Sequence, residues 1–433
     1  MSLIISILTI LGVILGVLFV PSITIMGKKL SSYWVIAILG AALLVLTGSI
    51  GVGEIWARLG SNNSINPLKI LTLFISMSIF SVFLDKVGFF RYLANSTLQR
   101  AKYGQTSLFV SLYLLVSVLT VFTSNDIVIL TFTPFICYFT RSAKINPLPY
   151  LITEFVAANT WSMALIIGNP TNIYIATANS IDFIEYLKVM ALPTIVSGAT
   201  SFGLLYLIFR EDLKVKMTPK PETIEISDRV LLYIGLFHLA ACTICLVLSS
   251  VLRFEMWIIA FGFALSLFAC VLIYSLISRK KAVILSDTLH SAPWETIPFV
   301  LSMFILILAQ EQSGMLANIA LALNCEVPIF SYGLTSFFAS NVLNNIPMSI
   351  LFTSVLDFTT TAHEHLISAY SVIIGSNIGA LLSPLGALAG VMWSNILNTQ
   401  GINFSFLGFV RYGVMISIPT ILAALIALHF IIG

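Results

Sequence analysis

Ten apolar segments, near residues 3–20, 32–50, 67–85, 148–178, 184–209, 229–250, 255–278, 293–310, 366–397 and 406–432, each reach the length needed to cross a hydrocarbon core about 30 Å thick. Inside lipid a chain must satisfy its own backbone hydrogen bonds, so segments of this kind are restricted to helices. The expected fold is an all-α polytopic membrane protein. Composition agrees: charged residues are 9% of the chain and the mean hydropathy is +1.03, where a soluble domain carries about 25% charge. The net charge of +3 belongs to the loops and gives no reason to expect nucleic acid as a partner. Residues 3–20 have no basic leader or small-residue cleavage site, so they read as a first span rather than a signal peptide. Cys137, Cys242, Cys245, Cys270 and Cys325 mostly sit in apolar runs, where a thiol behaves as a small hydrophobe; disulfides and metal clusters are not expected.

Two stretches depart from the ten-span pattern. Residues 105–140 and 328–357 each hold two short apolar arms around a polar tip, Thr123-Ser124-Asn125-Asp126 in the first and Asn344-Asn345-Ile346-Pro347 in the second. Each tip is followed by a polar break in the next span, Gly168-Asn169-Pro170-Thr171-Asn172 and then Gly375-Ser376-Asn377 to Ser383-Pro384-Leu385-Gly386. Amides and hydroxyls at bilayer depth cost several kcal/mol unless satisfied, so their recurrence in one order implies something bound there. Irregular backbone is tolerated at that depth only where protein or water covers it, which favours re-entrant hairpins over full crossings.

Charge and repetition support this layout. With the N-terminus outside and both hairpins re-entrant, most basic residues fall on inner loops, and Arg58, Lys69, Lys188 and Arg253 are left outside. Both termini are then outside the cell membrane. Pro67 to Gly88 matches Pro293 to Gly314 at a constant offset, each a span followed by an acidic residue and a glycine, and the tip and the break follow in the same order. The expected organisation is two inverted repeats, 1–209 and 229–433, joined by a cytoplasmic linker at 210–228, with a binding site near the midplane where tips and breaks converge.

These motifs resemble the arsenite permease family of the ion transporter superfamily. The resemblance runs through Ser124-Asn125-Asp126 with Thr133-Pro134, Asn344-Asn345-Ile346-Pro347, Ser383-Pro384-Leu385-Gly386 with Trp393, and the closing segment from Arg411 to Pro419. Gly168-Asn169-Pro170-Thr171-Asn172 is similar instead to the Gly-Thr-Pro-Pro-Asn loop of the divalent-anion:sodium symporters. The superfamily resemblance implies a scaffold domain, a mobile transport domain, elevator-type alternating access and a homodimer. It also implies arsenite or antimonite as cargo, and a separate ATPase subunit if the chain serves an arsenical pump, since no Gly-x-x-x-x-Gly-Lys loop is present. One departure stands out. The arsenite permeases carry Asp where this chain has Asn159 and Asn377, and a Lys shortly after the second, where it has Ala380-Leu381.

The candidate ligands are therefore Ser124, Asn125, Asp126, Asn159, Thr160, Gly168, Asn169, Thr171, Asn172, Asn344, Asn345, Asn377, Ser383 and Gly386. Amide oxygens suit a cation and amide hydrogens an oxyanion, so the asparagines alone do not choose a substrate. Asp126 is the only carboxylate at a tip; it either binds the coupling proton or sodium, together with Asn125 and Asn345 in the sodium case, or caps the arm that follows. Glu154 either lines the path or bonds between helices. His363-Glu364-His365 has metal-like spacing but no further ligand nearby and reads as a solvated loop. Neither a nucleophile with its base nor a cofactor motif is visible, so the expectation is a secondary transporter of a small ion or oxyanion, not an enzyme. Arsenite efflux leads, and sodium/proton antiport and sodium-coupled uptake of a carboxylate or other anion are the alternatives.

Overall fold

Helix α1 (Ser2–Phe19) is uncharged and mostly apolar and ends where a two-stranded hairpin, β1 (Ser22–Ile25) and β2 (Lys28–Ser31), turns the chain. The strands are antiparallel with Ser22 opposite Ser31 and Ile25 opposite Lys28. Among the described residues this hairpin is the one departure from the all-helical expectation. In the computed structural model the chain is described over residues 1–433 except 21, 26–27, 62–65, 101–103, 216–225, 227, 253, 280, 312–313 and 360. Most of the linker, with Lys216, Pro219, Lys220, Pro221 and Glu222, lies outside the described residues, as do Lys102, Arg253 and Lys280.

The Ser31 hydroxyl donates to Glu295 Oε2 at 2.6 Å, tying the hairpin to the start of a distant helix as α2 (Ser32–Leu46) begins. A short amphipathic helix α3 (Val52–Gly60) precedes α4 (Pro67–Val87). Helix α4 starts cleanly because Asn66 Oδ1 accepts the Leu68 N–H at 2.9 Å and Pro67 brings a fixed φ to the first turn. It stops at Gly88, whose φ of 90° is left-handed, and α5 (Phe89–Arg100) leaves in a new direction. There follow α6 (Gln105–Phe122) and α7 (Asn125–Ala143), the arms of the first hairpin, then α8 (Leu148–Trp161), α9 (Pro170–Ala178) and the long α10 (Phe183–Phe209).

Beyond the linker come α11 (Arg229–Val247), the single turn α12 (Ser249–Leu252), α13 (Met256–Ile277) and α14 (Val283–Ser291). The earlier order then recurs. Helix α15 (Thr296–Glu311) precedes a left-handed Gly314 and α16 (Met315–Leu323), α17 (Pro328–Leu343) and α18 (Asn345–Leu356) form the second hairpin, α19 (Ala362–Gly379) and α20 (Leu388–Thr399) flank a break, and α21 (Phe406–Ile432) closes the chain.

Among the described residues seven stretches are long and apolar enough to cross a membrane, with α14 and α15 taken together as one of them and the hairpin arm Gln105–Phe122 as another. Of the ten expected segments four do not qualify, because 148–178 and 366–397 are each broken in two, α2 has only 15 residues and the first segment qualifies only as a shorter apolar helix, while the hairpin arm is added. Two groups of helices pack side by side. In one, α1, α2 and α15 lie together and α4 packs on α11, α13 and α14; the other comprises α6 to α10 with α17 to α21. They meet where α4 touches α7 and α9 and where α15 touches α18. Large apolar side chains such as Phe237, Leu276, Ile277, Leu407 and Phe430 stand exposed on the outer helices. So extensive an apolar exterior suits lipid and would be a liability in water. Where α17 crosses α19 the approach is close: a methyl on Gly375 would lie 2.5 Å from the Gly333 carbonyl oxygen, and one on Gly379 2.8 Å from that of Phe337.

Candidate functional site

The centre of the second helix group is built from asparagines on broken helices. Helix α8 ends at Trp161 and the chain passes through two short 3-10 turns before Pro170 starts α9. A β-carbon on Gly168 would fall 2.2 Å from the Ser162 carbonyl oxygen, so no larger residue fits there. Asn169 caps α9, its Oδ1 accepting from the Thr171 N–H at 3.2 Å and the Thr171 hydroxyl at 3.1 Å. The second break is analogous. Ser383 caps a short turn at Pro384–Gly386 through the Leu385 N–H, and Gly386 approaches the Gly379 carbonyl oxygen too closely for a side chain.

Asn377 joins the two breaks. Its Oδ1 accepts from the Ser162 hydroxyl at 2.8 Å and from Asn169 Nδ2 at 3.0 Å, and its Nδ2 donates to Asn172 Oδ1 at 2.6 Å and to the Ile373 carbonyl at 2.8 Å. Asn172 in turn donates to the Ser162 carbonyl at 2.8 Å. Asn159 occupies the matching place on α8, with its Nδ2 on the Phe155 carbonyl at 2.9 Å. Each asparagine thus repairs one carbonyl of its own helix and offers an oxygen outward.

The tips reach the same network from outside. Asn125 Nδ2 donates to Asn159 Oδ1 at 3.1 Å, which links the first tip to the first break. Asn344 Nδ2 donates to the Leu385 carbonyl at 3.1 Å, Asn341 Nδ2 to that of Gly379 at 2.9 Å, and the Ser383 hydroxyl to Asn341 Oδ1 at 2.7 Å, which link the second tip to the second break. Asn341, three residues before Asn344 in the 328–357 hairpin, is a network member that is not among the candidate ligands read from the sequence. Asn344 is also strained: φ of 73° with ψ of 153° is a region that essentially only glycine enters, and such geometry costs about 1–3 kcal/mol.

Several groups are left over. Asn125 Oδ1, Thr160 Oγ1 and Ser376 Oγ are buried and have no hydrogen-bond partner among the described residues. Asp126 lies in the first turn of α7, half-buried, and no hydrogen bond to its carboxylate occurs among the described residues. Ser124 is the N-cap residue but makes no side-chain cap bond, and Asn345 is buried at the start of α18. Helix N-termini at Asn125, Pro170, Asn345 and Leu388 and helix C-termini at Phe122, Trp161, Leu343 and Gly379 bracket the site, so partial charges of both signs are available to an ion. His363-Glu364-His365 is not part of this network; His365 Nε2 meets Asn179 Oδ1 at 2.6 Å and staples the start of α19 to the end of α9.

Glu154 lies two turns before the first break and is fully buried on α8. The Thr133 hydroxyl lies 3.0 and 3.1 Å from its two carboxylate oxygens. No ion pair to it exists among the described residues. The adjoining Phe155 ring packs on Trp393, which Phe404 and Phe409 also contact. Sequence reading placed Glu154 beside the path or between helices, and the latter is what is found.

A family model described as a citrate transporter, CitMHS, matches residues 22–373. The chain belongs to the citrate transporter family. Relatives of this family member include the arsenical pump membrane protein of Yersinia enterocolitica, 25% identical over 90% of this chain and 91% of its own length. The protein of that name from Escherichia coli is 24% identical over 95% and 97%. The 46 kDa membrane protein of Mycobacterium leprae is 23% identical over 96% and 97%. In fold, this citrate-transporter-family chain resembles the YdaH transporter of Alcanivorax borkumensis, with a TM-score of 0.57 at 14% identity over 99% of this chain and 97% of that one. It also resembles MtrF of Neisseria gonorrhoeae, described with a class of antimetabolite efflux pumps, with a TM-score of 0.50 at 12% identity over 100% and 95%. The chain is a multi-pass membrane transporter.

Proposed function

We propose that this transporter is coupled to an ion gradient and moves a small inorganic ion or oxyanion, with efflux of arsenite or antimonite as its task. The observation that carries the reading is the set of amide bonds by which each tip meets its own break and Asn377 ties the two breaks together, with Asn125 Oδ1 and Thr160 Oγ1 left as buried acceptors beside it. Such acceptors suit a small, polar cargo or a coupling cation. Asp126 binds the coupling ion, a proton or sodium, with Asn125 and Asn345 as its neighbours in the sodium case. The names of the arsenical pump relatives support the cargo.

In this reading 1–209 and 229–433 are inverted repeats about the linker 210–228. The group holding α1, α2, α4, α11, α13 and α15 is the scaffold, and the other moves as an elevator. The protein works as a homodimer in the plasma membrane, which in bacteria is the cell inner membrane, with both termini outside. As part of an arsenical pump it would engage a separate ATPase. The deciding experiment is arsenite accumulation in cells lacking their own arsenical pump. Lower accumulation with the wild type than with Asp126→Asn supports the reading, and equal accumulation with both proteins in the membrane refutes it.

A second reading has its own observation. The family model is described by citrate, and four helix N-termini bracket the site without a nearby Lys or Arg among its hydrogen-bond partners, an arrangement able to hold a carboxylate. Sodium-dependent uptake of labelled citrate into vesicles, with no arsenite flux, would favour this symport.

A further inference from the structure

Glu154 and Thr133 pose a problem of proton count. Thr133 Oγ1 lies 2.6 Å from the Ile129 carbonyl oxygen, 3.0 Å from Glu154 Oε1 and 3.1 Å from Glu154 Oε2. The hydroxyl has one hydrogen and faces three acceptor oxygens. Its shortest and therefore preferred acceptor is the carbonyl one turn back on its own helix. With the hydrogen committed there, the contacts to Glu154 join lone pair to lone pair unless the carboxyl itself supplies a hydrogen to Thr133 Oγ1. A fully buried carboxylate with no cation and no committed donor is also the form that burial penalises most.

A second observation marks the group as able to change state. The Trp393 indole N–H is fully buried and stands beside the Glu154 carboxyl, within reach of it yet short of good hydrogen-bonding geometry, and it has no other acceptor among the described residues. An unused buried donor next to an acid is costly in the neutral state and rewarded in the ionised one. Two donors thus stand ready for the anion, the indole N–H and the Thr133 hydroxyl once it rotates away from Ile129.

We propose that Glu154 holds a proton as a neutral carboxylic acid in this conformation and is a proton-carrying site of the transporter, separate from the asparagine network. On release the carboxyl O–H bond breaks, the proton passes to water admitted by a rearranged α7 and α8, and Thr133 and Trp393 donate to the carboxylate left behind. Of the elements packed on α8, α7 turns Thr133 and Cys137 toward the carboxyl, with Arg141 further along the same helix. Helices α6 and α10 bring Tyr113 and Tyr186, whose hydroxyls are committed to the carbonyls of Gly198 and Met163, and α19 brings Tyr370. None of these neutralises the anion by an ion pair, so the proton itself is what the site exchanges.

The test uses the full-length protein in lipid vesicles and has two arms. Infrared difference spectra between wild type and Glu154→Gln at neutral pH should contain a protonated carboxyl C=O band, lost in the variant and shifted by Thr133→Val; a carboxylate signal in its place overturns the proposal. This arm needs no substrate and stands whatever the cargo. The second arm rests on the arsenite reading: Glu154→Gln should lose accumulation driven by a pH gradient while keeping arsenite counterflow between equal pH values. Retention of gradient-driven accumulation overturns the coupling role. Absence of arsenite flux in the wild type would refute the cargo, and the pH arm would then use proton release on adding labelled citrate, with the same two outcomes.

Discussion

Asn377 Nδ2 lies 2.6 Å from Asn172 Oδ1, across two helices that break at the same level, and this contact fixes which way both amides point. Because Asn377 Nδ2 must donate there and to Ile373, its Oδ1 is left to accept from Ser162 and Asn169. An aspartate at 377 would put an acceptor against two acceptors. The amide is thus the residue that satisfies this arrangement without a proton, which gives the departure from the arsenite permease pattern a physical sense.

Replacing Asn377 should therefore be severe in a graded way. Asn377→Ala leaves Asn169 Nδ2 and Asn172 Oδ1 without their buried partner, while the Ser162 hydroxyl keeps the Asn159 carbonyl, a loss of about 3 kcal/mol. Asn377→Asp keeps the shape, and its deficit should shrink at acid pH, where a protonated carboxyl can again donate to Asn172. Thermal unfolding of the purified variants in detergent at acid and neutral pH reads both; equal deficits at the two pH values would refute the donor argument.

Asp126→Asn should leave folding and insertion unchanged and abolish coupled transport. No hydrogen bond to the Asp126 carboxylate occurs among the described residues, so the isosteric amide removes charge without breaking a contact. Unfolding midpoint and gradient-driven flux measured on the same preparation separate the two effects. Asn345→Ala is expected to lose substrate binding, and unchanged affinity in a binding assay would move the site elsewhere.

At Asn344 backbone and side chain make opposite demands. Its φ of 73° suits glycine, while its amide holds Leu385. Asn344→Gly should keep stability near that of the wild type, because relief of about 1–3 kcal/mol of strain offsets the lost bond, but weaken substrate affinity. Asn344→Ala removes the bond without easing the backbone and should destabilise. A glycine variant that unfolds as early as the alanine variant would contradict this.

The Lys69–Glu255 pair, at 2.7 Å, hydrogen-bonds the start of α4 to the start of α13 and holds the Glu255 carboxyl below the usual carboxylate range. The folded value lies below the unfolded one, so the stabilisation is complete above the ordinary glutamate value of about 4.3 and fades as pH falls through the folded value. Glu255 is half-exposed, which limits the effect to about 1 kcal/mol or less. Unfolding curves of the wild type and Lys69→Met should converge under acid conditions.

The positions of helices, tips and breaks were legible because apolar length and clusters of Asn, Ser, Gly and Pro are one-dimensional signals. The first hairpin turns at Thr123 and Ser124 and the second at Asn344, inside the polar stretches that announced them. The strand pair at 22–31 was not legible, since its register depends on bonds to a partner four residues long rather than on an alternating pattern. Asn341 and Thr133, the residue that Glu154 meets, escaped for another reason. They matter through neighbours on other helices, and an asparagine or threonine in an apolar run looks the same whether it repairs its own turn or reaches across.

The crossing of α17 and α19 at Gly375 and Gly379 has a mechanical result. Only backbone and the short hydroxyls of Ser336 and Ser340 lie between the two helices there, which leaves little to shear, so the second tip and the second break behave as one stiff lever. Two residues before and two after Asn159 on α8, the first half instead has Ala157 and Trp161, and its hairpin arm α6 meets α8 through side chains, the Trp161 indole N–H donating to the Tyr113 hydroxyl. Any change of shape that opens the site should fall first on that softer half.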